Sequence, residues 1–160
     1  MAVRACFGAA LLALAGMAAA HVVVARGSLR QYLQHSALAL HVEFESGPLV
    51  WQAPDGDRQE YFRVRILERL AGAGPDAGPL EFFPHAEGFP GFAAGDRALL
   101  FLERTAERRE FRRHAERFPW FSVQGTGEEW RTGGDDDPTL SVARAWLAWL
   151  SAGGHDVDGL

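Results

Sequence analysis

A chain of 160 residues with 48% apolar content holds one domain's worth of sequence and can bury a core, which argues against extended disorder. All 16 basic residues are arginine, asparagine is absent and Ile66 is the one isoleucine, a coding bias that strips arginine enrichment of functional meaning. The formal charge of −5 argues against nucleic acid or an anionic membrane as the main partner.

Residues 1–20, MAVRACFGAALLALAGMAAA, place Arg4 ahead of an apolar run that ends in a small-residue triplet, the anatomy of a secretory signal peptide. Cleavage is expected after Ala20, with a later site after Ala25, and an uncleaved N-terminal anchor is the alternative. Processing removes Cys6, the sole cysteine, so neither a disulfide nor a thiolate metal site is available to the mature chain. It also leaves 15 arginines against 21 acids, a charge of −6. The expected product is an exported protein, periplasmic or extracellular, with no stable membrane span after cleavage. Its single domain covers 28–152 and a frayed tail covers 153–160.

Ser28 followed by Leu29, Tyr32 and Leu33 predicts a short N-capped helix. ALALHVEFE then alternates, with Leu38, Leu40, Val42 and Phe44 on one face and His41, Glu43 and Glu45 on the other, a half-buried strand with His41 toward solvent. A turn-rich segment around Trp51 and PDGD leads to YFRVRILERL, whose alternation predicts the second strand of a long-looped antiparallel hairpin. PLEFF reads as a short strand ended by Pro84, and Ala98 to Leu102 as a strand covered on both faces. Phe111, Ala115 and Phe118 predict a charged helix over 105–117. WFSVQ and EEWRT, joined by Gly-Thr-Gly, read as a second hairpin. Asp137 and Pro138 open the clearest helix, whose stripe of Leu140, Ala143, Trp146, Leu147 and Leu150 predicts docking on a core, with Gly153 as its stop.

These elements specify a mainly β (α+β) domain, a small, partly open antiparallel barrel of five or six strands with a C-terminal helix packed on it. The stretch Phe92-Ala-Ala-Gly95-Asp96-Arg97-Ala-Leu-Leu-Phe101-Leu102 resembles the F-x-x-G-[DE]-R-x-L-L-F-L signature of small exported bacterial proteins with an OB-like barrel, themselves similar to the netrin or metalloproteinase-inhibitor module. The resemblance implies a binding protein. Protease inhibition is not implied, because the inhibitors use an N-terminal cysteine that this chain lacks. Gly95 is expected to permit a tight turn that Asp96 and Arg97 cap.

Two stretches share eight of twelve positions: EFFPHAEGFPGF from Glu81 and EFRRHAERFPWF from Glu110. His85, Glu87, His114 and Glu116 are therefore candidate ligands of a divalent metal. Against that, the first copy is rich in turn formers and the second in helix formers, so unlike backbones are expected and the histidines read as surface or turn residues. Arg104 to Arg117 reads as a solvated face with interleaved acids, and Asp135 to Asp137 as a helix cap. Trp120, Phe121 and Trp130, with Arg97, are the candidate ligand-binding residues of a barrel face, although core packing accounts for most of the aromatics. The sequence predicts an exported, non-catalytic module without a cofactor that binds a protein or surface polymer. The alternative is a metal-binding protein or metal-dependent enzyme using the two His-Ala-Glu triplets.

Overall fold

The computed structural model describes residues 28–84, 91–122 and 130–154; the expected leader, the first His-Ala-Glu triplet and the tail from 155 onward lie outside them. Ser28 opens the first helix as predicted. Its hydroxyl accepts from the Gln31 N–H and the Gln31 side chain accepts from the Ser28 N–H, a capping box that starts α1 (Leu29–His35).

β1 (Leu38–Phe44) pairs antiparallel with β3 (Arg58–Gly72) along one edge and with β5 (Arg97–Arg104) along the other. β3 pairs with β4 (Gly78–Pro84), β4 runs parallel to β6 (Trp120–Ser122), and β6 returns antiparallel to β5. The expected small barrel is therefore present; it is closed, in the order β1-β3-β4-β6-β5, and its β4–β6 contact is parallel. Two short strands are added: β2 (Leu49–Gln52) on β3 and β7 (Arg131–Thr132) on β5.

Alternation fills three separate apolar layers. Inside the barrel lie Leu38, Leu40, Val42 and Phe44 of β1, meeting Phe62, Val64 and Ile66 of β3 and Ala98, Leu100 and Leu102 of β5. Outside it, Ala39, Leu99 and Phe101 meet Leu33 of α1 and Leu140 and Ala143 of α2 (Pro138–Ser151). A third cluster, Phe83, Phe118 and Phe121, sits beneath the β5–β6 connection. α2 is built as its sequence dictates: the Asp137 carboxylate accepts from the Thr139 N–H, Pro138 takes the first turn, and Gly153 at φ +83° ends it. Leu140 and Ala143 are buried, Trp146, Leu147 and Leu150 are half-buried, and Arg144 on another side bonds Glu68 of β3 at 2.6 Å.

Several expectations are corrected. The 105–117 segment is not an α-helix but two 3₁₀ turns, Thr105–Glu107 and Arg109–His114. The Thr105 N–H bonds the Pro119 carbonyl at 3.1 Å, so the ends of the connection are pinned together and leave no room for a straight helix. Among the described residues the second hairpin is not formed: β6 and β7 each pair with β5, at its two ends, and residues 123–129 lie outside them. The loop around Trp51 contains strand β2. His41 is not a solvent-facing residue. It is 1% exposed, because α2 and β7 cover the outer wall that the alternation assigned to water, and its Nε2 lies 3.0 Å from the Thr132 hydroxyl.

Burial holds His41 below its ordinary pKa of 6.5, with Arg97 and Arg144 acting in the same direction and Glu68 and Asp135 opposing. The unfolded chain therefore binds more protons than the folded one in mild acid, and stability present above about pH 6.5 is lost as pH falls toward the depressed value. The melting temperature followed by circular dichroism should fall between pH 7.5 and pH 5, and His41→Gln should flatten that slope; an equal slope in both proteins removes His41 as its cause. Leu140→Ala should cost about 2–5 kcal/mol in urea unfolding, a large share of the ~5–15 kcal/mol of an ordinary domain. An unchanged midpoint would make α2 an appendage rather than part of the core.

Candidate functional site

The candidate ligand residues Trp120, Phe121, Trp130 and Arg97 do not converge. Trp120 belongs to the barrel interior, Phe121 to the cluster below the β5–β6 connection, and Trp130 to the layer beneath the helices, all three buried. Arg97 stays partly exposed on β5, its Nε 3.1 Å from Glu43 and its guanidinium 3.6 Å from Asp135.

Of the metal candidates, His85 and Glu87 lie outside the described residues. His114 is buried, with Nε2 accepting from Arg113 Nε at 3.1 Å, and Glu116 is exposed. Among the described residues no group of three or more His, Cys, Asp or Glu side chains is placed to hold a metal ion. The buried His41–Thr132 pair has the composition of a base and a hydroxyl nucleophile, but it is sealed beneath α2, out of reach of a dissolved substrate.

The Phe92–Leu102 signature is structural. Phe92 is buried at the barrel end, stacked on Phe44 at 4.0 Å, and the Arg131 guanidinium lies 4.3 Å over its ring. Gly95 takes φ +90°, its N–H donates to the Phe44 carbonyl, and the Asp96 carbonyl accepts from the Phe44 N–H, each at 2.8 Å. The Asp96 carboxylate caps the turn by accepting from Ala93 N–H at 2.8 Å and holds Arg131 at 2.6 Å. These bonds keep it below the usual carboxylate range, the Ala93 N–H more than Arg131. Arg97 departs from the expected capping role, since it reaches Glu43 instead.

What the sequence analysis did not single out is the open wall of the barrel. Helices cover β1 and β5, whereas the outward positions of β3 and β4 carry charge. Arg63 stands opposite Glu81, and Glu43 stands opposite both Arg65 and Arg97, so the register itself places opposite charges in cross-strand pairs. The resulting bonds are Arg63–Glu81 at 2.6 Å, Arg65–Glu43 at 2.5 Å and Arg97–Glu43 at 3.1 Å. From the β5–β6 connection Arg117 reaches the other oxygen of Glu81. Burial pushes the Glu81 carboxyl up, but the hydrogen bonds from Arg117 and Arg63 outweigh it and leave the group ionised well into acid. An open groove of about 560 Å³ runs here, walled by Glu45, Arg65 and Arg117 over Pro79, Leu80 and Pro119. The signal for this face in the sequence is the Arg-x-Arg alternation of Phe62 to Ile66, which marks the outer side of β3 as well as the strand itself.

A second, smaller cleft of about 230 Å³ lies between the β2–β3 turn and the second 3₁₀ turn, lined by Trp51, Ala53, Pro54, Asp55, Arg113 and His114. It shares the β5–β6 connection with the groove: Trp51 and Tyr61 both pack on Phe118, and Arg117 lies over Tyr61. No protein-family model matches the chain, and no curated protein matches it.

Phe92→Ala should cost about 3–5 kcal/mol, because the ring fills the barrel end and a cavity would replace it. Denaturant unfolding measures this, and a loss below about 1 kcal/mol would deny Phe92 a core role.

Proposed function

We propose that the chain is an exported, non-catalytic binding module whose ligand, a protein segment or a surface polymer, lies along the open face of β3 and β4. One observation carries this reading: the wall of the barrel that the helices leave uncovered holds a groove of alternating guanidinium and carboxylate groups over an apolar floor. Such a surface offers an extended chain hydrogen-bond donors and acceptors at strand spacing together with apolar contact. Five-stranded barrels of the OB type bind on their second and third strands and adjoining loops, and β3, β4 and the two loops beside them occupy those places in barrel order. The net charge disfavours the nucleic-acid ligands such barrels also take. The N-terminal sequence supports export.

The test is an amide chemical-shift titration of the processed protein against soluble surface-polysaccharide fragments and short acidic, basic and neutral peptides. Shifts should cluster on β3 and β4, and Arg65→Glu or Arg117→Glu should weaken the bound probe about tenfold, the equivalent of one charged contact. Shifts confined to α2, or affinity indifferent to both reversals, would overturn the assignment. N-terminal sequencing of the protein recovered from the periplasm or medium should begin at His21 or Arg26.

A further inference from the structure

The β2–β3 turn is a preformed unit whose flanking strand residues Trp51 and Tyr61 pack on Phe118 of the β5–β6 connection. Within it the Ala53 N–H donates to the Asp57 carbonyl at 2.7 Å, the Gly56 N–H to the Ala53 carbonyl at 2.9 Å, and Gly56 takes φ +91°. The tip of the turn, residues 53–57, is held to the connection by Arg113, whose two terminal nitrogens reach Asp55 at 3.4 Å and Asp57. The remaining nitrogen of that guanidinium, Nε, donates to His114 Nε2 at 3.1 Å. His114 is 2% exposed, with its ring edgewise to Trp51 at 5.7 Å and to Phe83 at 5.6 Å.

We propose that His114 is the acid-sensitive element of a latch that holds the β2–β3 turn closed over the cleft. The geometry requires a lone pair on Nε2, because Arg113 Nε can only donate. That bond orients the guanidinium so that its other two nitrogens face Asp55 and Asp57. A proton on Nε2 removes the acceptor, sets two cationic N–H groups against each other beside an imidazole that is buried, and forces the arginine or the imidazole to move. Either movement detaches the turn. The charged groups acting on the imidazole are Arg113 from its own turn and Asp55 and Asp57 from the β2–β3 turn; β2 and β4 present the rings of Trp51 and Phe83. Burial and Arg113 favour the neutral form, and the two aspartates oppose them from partly exposed positions where they are already engaged by Arg113. The latch is therefore closed above about pH 6.5 and released as pH falls below it. Release would free Trp51 and the end of the groove next to Arg117, so acid would alter ligand access. That consequence rests on the proposed binding face, whereas the latch itself does not.

Hydrogen exchange read by mass spectrometry on the ligand-free exported protein, at pH 7.5 and 5.5 and corrected for intrinsic rates, tests it. Residues 49–61 should lose at least about tenfold more protection in acid than β1 and β5, which report the global loss set by His41. His114→Gln, which keeps an acceptor that does not titrate, should hold the turn protected at both pH values. The double variant D55N/D57N, altered at exposed positions that leave the core intact, should release the turn at both. Parallel loss across turn and barrel, an acid response surviving in His114→Gln, or full protection in D55N/D57N would each overturn the latch.

Discussion

The structure depends on one strand having no free edge and no free face. β1 is bonded to β3 on one side and to β5 on the other, and this double pairing is what turns a sheet into a closed barrel. Its inner face supplies the barrel core, while its outer face is roofed by the layer that α1 and α2 complete. Closure demands curvature. Two register shifts, opposite Ala39/Leu40 and His41/Val42, each leave an extra residue in β3 and give that strand the local bend that a small barrel needs. A polar side chain beneath that roof needs a protein partner, which is why His41 meets Thr132 of β7 rather than water.

Covering β1 and β5 with helices makes the molecule two-sided. The covered side carries the features that matter for folding. The Phe92–Arg97 turn belongs with it, since its glycine and aspartate are stitched to the last residue of β1 through paired backbone hydrogen bonds. The uncovered side carries polar groups whose mutual pairing contributes little to stability, as exposed ion pairs generally do. Charge that holds so little of the fold together is free to serve recognition, and the separation of the two sides lets the groove vary without cost to the barrel.

Elements with local signals were legible. Asp137-Pro138 and Gly153 delimit α2, Ser28 opens α1, alternation marks β1 and β3, and an unbroken apolar run marks β5. What the sequence left unread depends on partners far along the chain. His41 fell on the polar phase of an alternating strand, and periodicity cannot report that a helix begun about a hundred residues later will cover that phase. EEWRT and WFSVQ each have strand character, but adjacency suggested pairing between them, whereas β5 takes both. Leu49–Gln52 is short and sits among turn formers, so its β-branched and aromatic residues were outvoted by Gly and Pro. The charged face of β3 and β4 was hidden for a related reason: Arg63, Arg65 and Glu81 each look like ordinary solvated residues until register sets them side by side.

The two similar twelve-residue stretches meet in the fold but are put to different uses where both are described. Phe83 of the first pairs in register with Phe121 of the second across the parallel β4–β6 contact, their rings stacked at 5.9 Å, and Arg117 of the second grips Glu81 of the first. The backbones are nonetheless unlike, since the first copy starts as strand β4 and the second as a 3₁₀ turn. Matching letters accordingly do different work: Glu81 holds two arginines over the groove, and Glu110 lies 3.4 Å from Arg108 on the surface. Among the shared phenylalanines, Phe82 and Phe92 are buried in the barrel interior and Phe118 and Phe121 in the cluster beneath the β5–β6 connection. A small barrel closed by short strands needs large flat side chains wherever chain segments meet, and two segments that meet at one seam are selected toward similar spacing of aromatic and charged residues. The two stretches thus share a seam and its packing demand, while the charged groups that remain uncovered lie along β3, β4 and the loops beside them.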